Sequence, residues 1–258
     1  MNYKKILDHS ISNNKMNEML RKVYLDLPKE FFNYTNEYNK DFDKEQLISY
    51  PYLLSVSNEY FQAKIKIMLV GQKTYSWFGE KNNGIFSCEY NDRMNLIIEL
   101  QNLYDLFVND INRDYNSPFW QHCNAIHKKA KKNGIGIVYN NIEKIGYNTG
   151  YGYDSISNAY FDSIFIEEIK ICKPDIIIFL TGPNYDKLIA QRLGSFELCN
   201  CIDGINIRRL ASLQFVNRYE SMIYRTYNPK FLQMRKNSFS WINDIYDFIY
   251  GIILTNNK

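Results

Sequence analysis

Four short polar stretches in this chain share a pattern. Each follows a run of apolar residues, and each is rich in amides, hydroxyls or small side chains. They are Gly71-Gln72-Lys73-Thr74-Tyr75, Asn140-Asn141, Thr181-Gly182-Pro183-Asn184 and Tyr227-Asn228-Pro229-Lys230. Glu143 and Lys144 stand close behind the second. Taken one at a time, such stretches read as ordinary turns, because Asn, Gly and Pro are the usual turn formers. Taken together they offer a defined chemistry. An Asn side chain presents a donor beside an acceptor and so matches the edge of a nucleobase. Tyr75, Trp77, Phe78 and Phe86, near the first stretch, suit a flat ring or, equally, a packed core. Lys73 admits three readings: a nucleophile if burial depresses its pKa, a phosphate ligand, or a residue standing where a carboxylate would serve.

The elements that position these residues are legible from periodicity. "KIKIMLVGQ" (64–72), "IGIVYNNI" (135–142) and "PDIIIFLTG" (174–182) are apolar without alternation, as strands covered on both faces are. "SMIYRTYNP" (221–229) reads as a fourth core strand. Between them, "MNLIIELQNLYDLFVNDI" repeats apolar residues at helical spacing. "SPFWQHCNAIHKKAKKNG" begins with Ser117 as an N-cap and Pro118 at the first helical position, and stops at Asn133-Gly134. "NAYFDSIFIEEIKICK" reads as one helix closed by Pro174, and "NYDKLIAQRLG" as a short helix capped by Asn184 and stopped by Gly194. "FELCNCIDGINIRRL" reads as a hairpin turning at Asp203-Gly204, and "SFSWINDIYDFIYGIIL" as a closing helix.

Buried strands alternating with helices imply an α/β fold. The expectation is three α/β/α layers around a central, mostly parallel four-stranded sheet. Residues 1–60, polar and helix-forming, are expected as a helical N-terminal extension packed on a single 1–258 domain. Ligands in such folds bind beyond the carboxyl ends of the strands, which is where the four polar stretches fall.

Composition narrows the function classes. The 258 residues are 45% hydrophobic and 23% charged, an ordinary globular balance. No apolar run approaches the ~20 residues of a bilayer span, and the segment "MNYKKILDHSISNNK" contains no apolar export signal. Five cysteines without a C-x-x-C pair suggest reduced thiols in a cytoplasm, and argue against structural zinc or an iron–sulfur cluster. The net charge is only +3, but Ile205 to Lys236 holds seven basic residues (Arg208, Arg209, Arg218, Arg225, Lys230, Arg235, Lys236) against Glu220. Clustered Arg and Lys with interleaved Tyr and Phe suit a nucleic-acid backbone with bases to stack; the competing reading is a solvated basic surface.

In this order and at these strand ends, the motifs resemble the uracil-DNA glycosylase superfamily over roughly residues 60–236. "GQKTY" is similar to that family's first motif, a Gly-Gln followed by an acidic residue, proline and tyrosine. "GIFSC" places Phe86 where the family has a phenylalanine that stacks on the extruded base. "IVYNNI" places Asn140 where an asparagine reads the base edge. "RTYNPKFLQMRK" resembles the last motif, which carries histidine, proline and a loop that wedges into the duplex. The likeness extends to an uncharacterised branch through "GQKTYSW", "SPFW" (117–120), "KPD" (173–175) and "RTYNP" (225–229). Two positions depart from the pattern: Lys73 replaces the acid and Asn228 replaces the histidine. The only histidines are His9, His122 and His127. In the family the acid orients water or stabilises the sugar cation, and the histidine stabilises the departing base anion.

The resemblance therefore implies a DNA glycosylase with altered base preference, which flips a nucleotide and reads it in a pocket. Lys73, Asn140 and Asn228 would carry the chemistry. Gly71, Gln72, Tyr75, Phe86 and Asn141 would hold the base. Thr181, Asn184, Arg225, Lys230, Phe231, Leu232 and Arg235 would touch single- or double-stranded DNA. Asp154 and Glu143 are candidate general bases. A monomer with no cofactor, no metal and no membrane is expected, acting in the cytoplasm on a modified base rather than plain uracil, with a role in defence against phage by analogy alone. The rival reading is a glycosylase-like module that binds DNA or a nucleobase without cleaving it. A third, a nucleotide-processing enzyme, lacks a phosphate-cradling glycine motif.

Overall fold

The computed structural model describes residues 14–40, 46–74, 77–78, 82–109, 117–147, 155–216, 219–235 and 241–255. Tyr75 and Asp154 lie outside them, as do Arg218 and Lys236. The chain groups into two compact units, each assembled from separated stretches. The first comprises Met1–Asn58, Lys73–Asp110 and Asn141–Cys172; the second comprises Glu59–Gln72, Ile111–Asn140 and Lys173–Lys258.

The second unit holds the sheet, save for Asn141 at the end of one strand. Its strands are β1 (Ile65–Gly71), β2 (Ile135–Asn141), β3 (Ile176–Leu180), β4 (Phe196–Cys199), β5 (Leu210–Phe215) and β6 (Met222–Thr226). They lie in the order β2-β1-β3-β6-β5-β4. β1 and β3 pair in parallel with Ile67 opposite Ile176, and β3 and β6 in parallel with Ile177 opposite Ile223. β5 runs antiparallel to both β6 and β4. The sheet is thus six-stranded and mixed, not four-stranded and mostly parallel.

The difference comes from one hairpin. Its outgoing strand is "FELC", but the chain does not return along "INIRRL". Asn206 instead gathers the backbone, its carbonyl accepting from Arg209 N and Leu210 N and its side chain from Arg208 N. The return strand is "LASLQF", with Cys199 opposite Ser212. That strand alternates weakly, so its period is faint in the sequence. Every residue of β3 is fully buried. Neighbouring strand residues point to opposite faces, so both faces of β3 are covered, as its unbroken apolar run requires.

Helices α3 (Asn58–Gln62), α5 (Pro118–Lys132), α8 (Asp186–Leu193), α9 (Pro229–Arg235) and α10 (Trp241–Thr255) belong to the second unit, save Asn58 itself. Ser117 caps α5, its side chain accepting from Trp120 N at 3.3 Å, a contact typically worth about 1 kcal/mol. Helix α8 begins differently from expectation. Pro183–Tyr185 forms a 3-10 turn first, and Tyr185, not Asn184, is the N-cap, without a side-chain cap bond. Gly194 stops it at φ 98°.

The first unit contains α1 (Lys15–Leu25), α2 (Lys29–Asn39), α4 (Arg93–Asn109), α6 (Ser155–Ala159) and α7 (Asp162–Cys172). The segment expected as one helix over 158–173 is two, broken at Tyr160-Phe161; the Phe161 ring packs against Phe31 at 5.4 Å. Lys173 ends α7 at φ 46°, with Pro174 behind it. Extended segments bridge at Ile48 with Tyr147 and at Ser49 with Ile85. Asn39 ties them together: its side chain donates to the Ile48 and Phe86 carbonyls and accepts from Ile48 N.

Candidate nucleic-acid interface

The carboxyl ends of β1, β3 and β6 carry a cluster built within the second unit. Gly71 closes β1, and Gln72 follows it. The Gln72 side chain donates to the Thr181 carbonyl at 2.8 Å, pinning the tip of β1 to the tip of β3. Gly182 then turns the chain at φ 79°. A Cβ there would sit 3.3 Å from Tyr227 Cδ1, so the turn needs glycine both for its backbone angle and for the close ring. Its N–H donates to the Thr226 carbonyl at 2.9 Å.

Tyr227 opens an aromatic row. Its ring lies 4.5 Å from Phe231 and 6.5 Å from Trp241. The Arg209 guanidinium rests over Trp241 at 4.4 Å, a cation–π contact. Phe231 is 39% exposed and Met234 is 73% exposed; Lys230 and Arg235, on the same short helix, are exposed too. Leu232, expected to touch DNA, is fully buried and anchors α9 to the body instead.

Arg225 has a different job from the one the basic run suggests. It is fully buried and forms a bidentate pair with Asp186, Nε to Oδ1 at 2.9 Å and Nη2 to Oδ2 at 3.1 Å. Nη1 donates to the Arg208 carbonyl at 2.8 Å, and the Thr226 hydroxyl donates to the Arg209 carbonyl at 3.0 Å. These two bonds hold the loop that projects Arg208 and Arg209. Arg225 thus positions basic residues rather than meeting phosphate with its own fork.

Asn228 caps α9. Its Oδ1 accepts from Lys230 N at 2.9 Å, and its carbonyl accepts from Phe231 N and Leu232 N. The cap fixes the amide plane and spends the acceptor. The Nδ2 donors make no hydrogen bond among the described residues. Asn184 is exposed just beyond β3. Asn140 is 1% exposed on β2 and reaches Met68 Sδ at 3.8 Å.

The remaining expected residues belong to the first unit. Lys73 is half-buried in the segment that packs on Gly146. A Cβ on Gly146 would meet the Thr74 carbonyl oxygen at 2.6 Å and Lys73 Cδ at 3.9 Å. Asn141 is 9% exposed and Glu143 6% exposed. Phe86 is 1% exposed and sits among rings: Tyr50 at 5.3 Å, Phe31 at 5.4 Å and Phe32 at 6.0 Å. As placed, it is part of this unit's aromatic core, and presenting a ring face to a base would require a neighbour to move.

Two features were missed in the sequence: the place of Trp241, and the pairing of Lys144 with Glu168. Trp241 completes the aromatic row, yet it lies far along the chain from the strand tips, so only its type hinted at a role. Lys144 and Glu168 form a fully buried ion pair at 2.5 Å, and the Tyr24 hydroxyl donates to the other Glu168 oxygen at 2.8 Å. Burial first, and the Glu168 charge second, push the Tyr24 pKa well above its ordinary value, so the hydroxyl stays protonated. A signal did exist here: helical spacing puts Glu168 on the same stripe as Phe165, Ile169 and Cys172.

Among the described residues, no helix is long and apolar enough to cross a membrane. No group of three or more His, Cys, Asp or Glu side chains there is placed to hold a metal ion. No protein-family model matches the chain, and no curated protein matches it.

Proposed function

We propose that this protein binds DNA at the carboxyl edge of its sheet and excises a non-standard or modified base. The observation that carries the reading is Asn228. Its amide is clamped by the cap of α9, with its donors directed away from that bond, beside an aromatic row and two exposed cations. Breaking an N-glycosidic bond leaves the electron pair on the base, and an oriented donor stabilises the charge that develops there. The tyrosine, phenylalanine and tryptophan rings supply faces on which an unstacked base can lie. Lys230, Arg235 and Arg209 supply charge for the phosphates. Water then adds to the sugar carbon, and the proton it gives up neutralises the released base.

A second reading, binding without cleavage, is favoured by one specific feature. The side chain at the β1 tip is an amide spent on the Thr181 carbonyl, and the residue after it is a lysine. No carboxylate stands at that point of the chain to orient water.

The test is incubation with duplex and single-stranded DNA carrying uracil, hypermodified bases or modified phage sequence, scored for abasic sites. Abasic product from at least one substrate is expected. Asn228→Ser keeps the cap but removes the amide donors, and should cut the rate about 100-fold or more. DNA binding with no abasic product from any substrate would leave only the second reading. Absence of DNA binding would sink both.

A further inference from the structure

The amino edge of the sheet, at the other end of the strands from the cluster proposed for DNA, is basic. Lys131 Nζ pairs with Glu59 at 2.7 Å, which joins the end of α5 to α3. The chain of and after α3 packs on β2: a Cβ on Gly136 would stand 2.7 Å from Tyr60 Cα and 2.9 Å from Ala63 Cβ. Asp175, just before β3, donates its N–H to the Lys66 carbonyl, and its Oδ2 accepts from Lys66 N at 2.7 Å. The end of α5 and the starts of β1, β2 and β3 therefore share one edge of the second unit.

Lys64, Lys128, Lys132 and Lys173 stand at this edge, and all of them are exposed. Lys128 and Lys132 are four apart on α5 and so share a face. The neighbouring lysines are spent: Lys131 on Glu59, Lys66 on the Ala63 carbonyl at 2.6 Å, and Lys129 on the Tyr250 ring. Lys64, Lys128, Lys132 and Lys173 make no ion pair among the described residues. The dipole of α5 favours cations in its last turn, which accounts for Lys132. It does not account for Lys128, earlier in the helix, or for Lys64 and Lys173 outside it. The acids of this edge are Glu59, already paired, Asp175, held on the β1 backbone, and the exposed Glu220.

Separate, flexible ammonium groups suit a polyanion. Each contact with a nucleic-acid phosphate releases condensed counterions and needs no fixed pairing geometry. Exposed pairs with the carboxylates of another protein contribute little by comparison. A lipid surface would call for an apolar face to insert, but Phe61 and Met222, the exposed large apolar side chains here, lie on separate elements.

We infer that the amino edge holds a second stretch of nucleic acid by its phosphates, so that the protein bridges two duplexes. β1 has 7 residues and spans about 20 Å between the two edges. Duplex DNA is stiff over about 150 base pairs, so a short duplex held at one edge does not fold round to the other. The inference takes its partner from the DNA-binding reading above, but does not rest on excision.

The test counts the short duplexes that the full chain binds at low salt, and asks whether it brings a donor-labelled duplex beside an acceptor-labelled one. Two duplexes per chain, with energy transfer between them, are expected. Lys64→Glu, Lys128→Glu and Lys132→Glu together should leave one duplex bound, cut the transfer about tenfold or more, and leave Tm unchanged. One duplex per wild-type chain, with no transfer, overturns the inference; whether the triple variant keeps that duplex then tells whether the carboxyl-edge reading stands. Undiminished transfer in the triple variant also overturns it, and would place the bridge in self-association of the protein. No duplex bound by the wild type overturns both readings.

Discussion

Lys144, Glu168 and Tyr24 show what a buried charge demands. Both charged side chains are fully buried, and each is satisfied by the other at 2.5 Å, with Tyr24 donating to the second carboxylate oxygen. Desolvating two ions costs several kcal/mol, and only tight geometry offsets it. Lys144→Met leaves Glu168 charged and buried, so it should destabilise the protein by about 3–5 kcal/mol in denaturant unfolding. The double change Lys144→Met with Glu168→Met should recover much of that loss, and its failure to do so would show that the network contributes more than mutual neutralisation. His122 poses the opposite problem, a group that folding keeps neutral. Its pKa of about 4 lies below the ordinary 6.5. Between those values the unfolded chain binds a proton that the folded one refuses, so stability rises with pH across that window. Unfolding measured from pH 6.5 down to 4 should show the wild type losing on the order of 3 kcal/mol more than His122→Gln.

At the scale of elements, single close approaches decide where loops run. Gly146 is the sharpest case, since a methyl group there would stand 2.6 Å from the Thr74 carbonyl oxygen. Backbone, unlike a flexible side-chain end, yields only by moving the segment that carries Lys73. Gly146→Ala should therefore lower stability by about 1–3 kcal/mol, read as a drop in Tm. An unchanged Tm would mean the 73–74 segment accommodates the methyl freely. The hairpin teaches the same lesson in reverse. Turn chemistry at Asp203-Gly204 is genuine, with Gly204 at φ 78°, yet the ladder partner is chosen by β6, which takes Leu210–Phe215 as its antiparallel neighbour. Pairing with an existing strand outweighed the local alternation of "INIRRL".

For the whole molecule, net charge says little and placement says much. Of the seven basic residues between 205 and 236, Arg225 is buried on Asp186, while Arg208, Lys230 and Arg235 are exposed. Phosphate contacts set the salt dependence of DNA binding, each contributing about 0.9 to the slope of log K against log salt. Lys230→Ala and Arg235→Ala should each reduce that slope by about 1. Arg225→Met should instead lower Tm, because it strands the Asp186 carboxylate, and should leave the slope near its original value. A slope that falls with Arg225→Met but not with the exposed pair would reverse these assignments.

The chain's own pattern determined its α/β class, the places of β1, β2, β3 and β6, the capped start of α5 and the glycine stop of α8. Those follow from unbroken apolar runs and local cap chemistry, which act over a few residues. The polar strand tips were legible for the same reason. What only the tertiary structure decided depends on partners distant in sequence. Pairing along β6 made the sheet six-stranded and mixed. Asp186, thirty-nine residues away, turned Arg225 from a surface cation into an internal brace. Phe31, Phe32 and Tyr50 enclosed Phe86. The Lys230 N–H oriented the Asn228 amide. A residue's type gives its repertoire; which part is used depends on burial and on the groups that folding brings within hydrogen-bond reach.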